Sequence, residues 1–107
     1  MNQTNSSIEA YPCTGFSSYT LWQLYVNEGI MIDIDTSSCN FNSTPNYFTS
    51  ITGIGNHYLL GGYTAIYLST NNSFRVYARS LVGWNSTLLL SLSQTNQWNV
   101  DWFAVLN

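Results

Sequence analysis

Asp33 and Asp35 alternate with Ile30, Ile32 and Ile34 in a stretch of strict two-residue periodicity, so both carboxylates share the polar face of a strand. Their Cα atoms then stand about 6.5–7 Å apart, from the rise per residue. Two carboxylates at that spacing suit a glycosidase acid pair or part of an oxygen-ligated calcium site. Arg75 and Arg79 share the face of a second strand, opposite Phe74, Val76 and Ala78. Pairing of these acids and arginines in a cross-strand charge ladder is a further use for them, and a solvated face another. Structural pairing suits these residue types best, with ligand contact through Asp33, Asp35, Arg75 and Arg79 kept beside it.

The turn Trp84-Asn85-Ser86-Thr87 follows Gly83 and lies between stretches of strand character. An exposed aromatic ring beside amide and hydroxyl groups can bind a sugar: the ring covers the apolar C–H face and the polar groups meet the hydroxyls. Packing of Trp84 against a glycan or a neighbouring subunit is an alternative, and a core position a third. His57 is the only histidine and lies in a glycine-rich loop, with no nucleophile motif near it. It reads as a surface or loop-packing residue. The glycines of Gly53-Ile54-Gly55 and Gly61-Gly62 do not make a dinucleotide fingerprint; they are expected to serve backbone conformations with positive φ. Cys13 and Cys39 are the only cysteines, and with one histidine they make a poor zinc site. A disulfide between them is expected, two separate thiols being the alternative. No catalytic residue, metal site or cofactor is expected, and the chain does not read as an enzyme.

Only 7% of the 107 residues are charged, Arg75 and Arg79 being the only basic ones, yet 16% are aromatic. A soluble domain carries about a quarter charged residues, so something else must keep this surface in solution. Five Asn-x-Ser/Thr sequons, at Asn2, Asn5, Asn42, Asn71 and Asn85, offer glycans for that task. The alternative is a surface covered by other copies of the chain. Both place the chain outside the cell. A net charge of −3 without lysine argues against nucleic acid and anionic membranes as partners. No apolar run approaches the roughly 18 residues of a membrane span.

Residues 1–10 read as a flexible polar arm without the apolar stretch of a signal peptide. Beyond it, strand patterns recur at 18–26, 29–35, 46–52, 63–69, 74–79, 87–93 and 98–106, separated by Asn, Gly and Ser turns. No helix is expected. Pro12 and Pro45 fall at loop ends. Residues 11–107 are therefore expected to form one all-β domain, an antiparallel β-sandwich of about six to seven strands.

From Thr44 onward the order of features resembles H-type lectin domains. It comprises Pro45 before a strand, Phe74 opening a strand of alternating apolar residues, the Trp84-Asn85-Ser86-Thr87 turn, and a final strand with Val100-Asp101-Trp102-Phe103-Ala104. The resemblance covers about 60% of the chain. It implies an antiparallel sandwich that forms trimers and binds galactose-type sugars between subunits. It places Trp84 and Asn85 in the ligand loop, with Arg75 or Arg79 nearby. The chain departs from the family in a longer segment between Trp84 and Trp102, and in having Leu81-Val82-Gly83 where some members carry a cysteine. The expected function is that of an extracellular carbohydrate-binding module whose partners are glycans and further copies of itself, as a trimer or a filament. A structural subunit of a glycosylated extracellular filament or coat is the alternative.

Overall fold

The computed structural model describes residues 11–26 and 28–106. The polar arm at 1–10, with the sequons at Asn2 and Asn5, lies outside the described residues. Among the described residues seven strands follow one another: β1 (Tyr11–Ser17), β2 (Gln23–Tyr25), β3 (Gly29–Asp35), β4 (Asn46–Thr52), β5 (Leu60–Gly61), β6 (Ser73–Ser80) and β7 (Asn99–Leu106), with one helix, α1 (Ser86–Thr95), before the last. They form two antiparallel sheets, one of three strands in the order β1-β7-β4 and one of four in the order β2-β3-β6-β5. The chain is an all-β sandwich.

The core lies where alternation puts it. Ile30, Ile32 and Ile34 of β3 and Phe74, Val76 and Ala78 of β6 are buried on the inner face of one sheet. Tyr47 and Ile51 of β4 and Val100, Trp102 and Ala104 of β7 are buried on the inner face of the other. The faces meet through aromatic rings: Tyr47 stacks on Phe74 at a centroid distance of 4.3 Å, and Trp102 meets Phe74 edge-on at 6.4 Å. Burying Tyr47 is affordable because its hydroxyl is satisfied, donating to the Thr70 carbonyl and lying 2.8 Å from Thr36 Oγ1. The expected Cys13–Cys39 disulfide is present, with Cα atoms 6.0 Å apart. It ties β1 to the 3-10 turn Ser37–Cys39 that follows β3, and so links the two sheets.

Several expected elements differ. Residues 87–93 are part of α1 and not a strand. Asn85 caps the helix, its side-chain oxygen accepting the Leu88 N–H at 2.9 Å. Leucine favours a helix, and the run at 88–92 contains no β-branched residue. Ser86, Leu89 and Ser93 are the buried residues, at helical and not strand spacing. The helix ends with Gln97 at φ +52°, where Gln97 N–H donates to the Gln94 carbonyl and Trp98 N–H to that of Ser93. Residues 63–69 are not a strand either, apart from one bridge between Tyr67 and Arg75. A turn from Ala65 N–H to the Gly62 carbonyl and a positive φ at Leu68 break the pleat there. Residues 18–26 divide into a 3-10 turn, Tyr19–Leu21, and the short β2. Of the glycines at 53, 55, 61 and 62, only Gly62 takes a positive φ; Gly53 instead makes room, because a Cβ there would lie 2.7 Å from the Trp98 ring. Pro12 lies inside edge strand β1, opposite Val105, and not in a loop.

Candidate functional site

β3 and β6 pair so that Asp33 stands directly opposite Arg75 and Asp35 opposite Ser73. Arg75 grips Asp33 with both prongs of its guanidinium, Nε to Oδ1 at 2.7 Å and Nη2 to Oδ2 at 3.0 Å. Asp35 turns to its own chain and accepts the Ser37 N–H at 2.9 Å. The two acids therefore serve separate local bonds. Among the described residues no group of three His, Cys, Asp or Glu gathers as a metal site. His57 opens the 3-10 turn His57–Leu59, and its Nδ1 is buried without a hydrogen-bond partner among the described residues.

The hydrogen bonds from Arg75 hold the Asp33 carboxyl below its ordinary value of 3.8; partial burial opposes this, and the charge of Arg75 adds to it. Bonds from the Ser37 side chain and backbone do the same for Asp35. Both folded-state values lie below the unfolded ones, so the unfolded chain binds more protons in this range. The stabilisation is complete above pH 3.8 and is lost as pH falls through the folded values. The carboxyl carbons of both residues are expected to titrate in NMR with midpoints under 3.8, and Asp33→Asn to flatten the acid limb of the stability profile. Midpoints at or above that value would refute the pairing.

Arg75 has a second task. Its guanidinium carbon lies 5.9 Å from the centroid of the Tyr77 ring, and its Nη1 donates to the Tyr77 hydroxyl at 3.4 Å. Tyr77 in turn touches Tyr25 of β2, at a centroid distance of 4.7 Å, and Tyr67 at 4.9 Å. These three rings stand on the outer face of the four-stranded sheet and line a cleft of about 390 Å³ with Glu28, Arg79 and Gly62. Next to the cleft residue Glu28, Gly29 opens β3 at φ +144° against the β6 backbone, where a Cβ would sit 2.3 Å from the Ala78 carbonyl oxygen. Gly29 N–H is held by Ser86 Oγ at 2.9 Å, which ties the β2–β3 turn to the start of α1.

No family model matches the chain, and neither a curated protein nor a solved structure matches it at a significant level.

Of the six residues expected at a ligand site, Arg79 lines the cleft, and Asp33 and Arg75 brace its wall through Tyr77. Asp35, Trp84 and Asn85 stand elsewhere. Trp84 is half-buried and packs against the core, its N–H donating to Ser80 Oγ at 3.0 Å. Asn85 is the helix cap already described. Tyr25, Tyr67 and Tyr77 were missed by sequence reasoning. Tyr77 carried a signal, an aromatic between two arginines on the polar face of its strand. Tyr67 was assigned to a strand that does not form.

A second aromatic surface lies on the outer face of the three-stranded sheet. Phe48 and Phe103 are cross-strand neighbours with centroids 6.2 Å apart, and Phe16 stands opposite Asp101 on the same face. Phe16 is 66% exposed, Phe48 55% and Phe103 41%, so water meets most of this apolar surface. Among the described residues no helix is long and apolar enough to cross a membrane.

Proposed function

We propose that the chain is an extracellular carbohydrate-binding module and that the tyrosine cleft holds the sugar. The observation that carries this reading is the wall of Tyr25, Tyr77 and Tyr67 beside Glu28 and Arg79. Flat rings suit the C–H faces of a pyranose, and a carboxylate and a guanidinium suit its hydroxyls. The disulfide is compatible with an oxidising compartment, and the sequons support the same location. Asn42 and Asn85 are exposed and open to a glycan, whereas Asn71 is half-buried with its amide donating to the Phe41 carbonyl at 3.1 Å. The likeness to H-type lectin domains supports sugar binding but puts the ligand at Trp84 and Asn85. A glycan array followed by calorimetry separates the two positions. Tyr77→Ala is expected to weaken the best ligand by about tenfold or more, roughly 1.4 kcal/mol, and Trp84→Ala to leave it unchanged. The reverse pattern would move the site to the Trp84 loop. An array with no binder at all would overturn the reading.

The exposed phenylalanines favour a second reading, in which the chain is a structural subunit of an extracellular filament or coat. Their face carries one charged residue among the described ones, Asp101, so a second copy can approach it with little repulsion. The strands that carry Phe16 and Phe48, β1 and β4, are both edges of their sheet among the described residues. Closed contacts would give a trimer or dimer and heterologous ones an open fibre. Light scattering of the purified chain is expected to show species larger than the 12.1 kDa monomer. Phe48→Ser with Phe103→Ser should return it to the monomer. A monomer at all concentrations tested would remove this reading and leave the sugar site standing.

A further inference from the structure

The cleft holds half of the chain's positive charge in an uncommitted form. Of the two basic residues, Arg75 is spent on the bidentate bond to Asp33. Arg79 is exposed, and its side chain has neither a hydrogen bond nor an ion pair with any of the described residues. It lies two positions along β6 from Tyr77, on the same outer face. Its neighbour across the strand pair is Gly61, which has no side chain to cover it. On its other flank runs Gly29, close enough that a Cβ there would lie 3.4 Å from the Arg79 Cα. The guanidinium therefore has no charged partner among the described residues, in a molecule whose net charge is −3.

We infer that the cleft selects acidic saccharides, with Arg79 receiving the carboxylate of a uronic acid whose ring lies on Tyr77. This rests on the carbohydrate-binding reading above. The planar fork of arginine matches a carboxylate in two parallel hydrogen bonds, which a neutral hydroxymethyl group cannot form. Residues two apart on a strand face stand about 6.5–7 Å from each other, a distance that one pyranose and its C5 carboxylate span. Glu28 lines the same cleft and forms no ion pair with Arg79, which has no acidic partner among the described residues. The carboxylate of Glu28 repels an acid placed at its own end of the cleft and accepts hydroxyl hydrogen bonds there. The ligand is thereby oriented, acid toward Arg79 and hydroxyls toward Glu28.

The probe is trigalacturonate compared with its fully methyl-esterified form, which keeps the sugar rings and removes the charge. Titration calorimetry of the intact chain is expected to give a dissociation constant for the acid about tenfold or more below that of the ester. Arg79→Gln should remove that difference, weakening the acid far more than the ester, and Arg79→Lys should restore part of it. Glu28→Gln should tighten the acid several-fold relative to the ester. Equal binding of acid and ester by the unaltered chain would overturn the selectivity while leaving sugar binding intact. So would a difference that survives Arg79→Gln. Binding of neither probe, nor of any saccharide on an array, would overturn the selectivity and the carbohydrate reading together.

Discussion

Replacing Trp98 by alanine is expected to destabilise the domain by about 3–5 kcal/mol, the range for a buried Trp or Phe cut to alanine. Trp98 is fully buried and joins three parts of the molecule. Its indole N–H donates to the Gly55 carbonyl at 2.7 Å, and its own carbonyl accepts the indole N–H of Trp22 at 2.8 Å. Its backbone N–H closes the end of α1 on Ser93 at 3.1 Å. The substitution thus leaves a large cavity and an unpaired carbonyl at Gly55 in one step. Small domains are stable by about 5–15 kcal/mol in total, so the loss is a large share of what there is. Urea unfolding should show the midpoint fall with little change in slope. Trp84→Ala is the comparison. Its ring is half-buried, and the loss should be clearly smaller. Equal losses for the two would show that Trp84 is as much a core residue as Trp98.

Removing the disulfide is expected to cost about 3 kcal/mol, from the entropy of opening the loop it closes. The cysteines are 26 residues apart and join β1 to the turn after β3. Without the link, the one strand that edge strand β1 pairs with among the described residues is β7. Cys13→Ser with Cys39→Ser should therefore lower the melting temperature on the order of 10–20 °C for a domain of this size. Reduction of the unaltered chain should give the same shift, and alkylation should then label both thiols. A melting temperature indifferent to reducing agent would mean that the link adds nothing to the native fold. Because β1 borders the phenylalanine face, loss of the link should also raise aggregation more than it disturbs the tyrosine cleft on the opposite sheet.

The acids and arginines illustrate how far residue patterns reach. Alternation placed Asp33 and Asp35 on one polar face and Arg75 and Arg79 on another, and a cross-strand pair followed. It could not say which acid meets which base. The register of β3 against β6 pairs Asp33 with Arg75 and sets Asp35 opposite Ser73. Register depends on how the two inner faces interlock and on the turns between strands, neither of which is local. The helix is a different case. Its signals were local and present, in the Asn85 cap and a leucine run free of β-branched residues. A leucine run bounded by polar turns suits a buried strand as well, and period alone does not separate the two in so short a stretch.

By itself the sequence determined the all-β class, the inner faces and the disulfide. Strand periodicity sorts side chains to one face or the other before any partner is known, and two cysteines allow only one intramolecular pairing. The tertiary structure alone decided the cleft. Tyr25, Tyr67 and Tyr77 come from β2, from a segment with a single bridge, and from β6. They meet because Gly29 lets the β2–β3 turn lie on the β6 backbone and because Asp33 holds Arg75 over Tyr77. The contacts of Gly29 with Ala78 and of Asp33 with Arg75 join residues distant in the chain. The positions of the rings, and the freedom of Arg79 beside them, therefore follow from strand order and register and not from any local pattern.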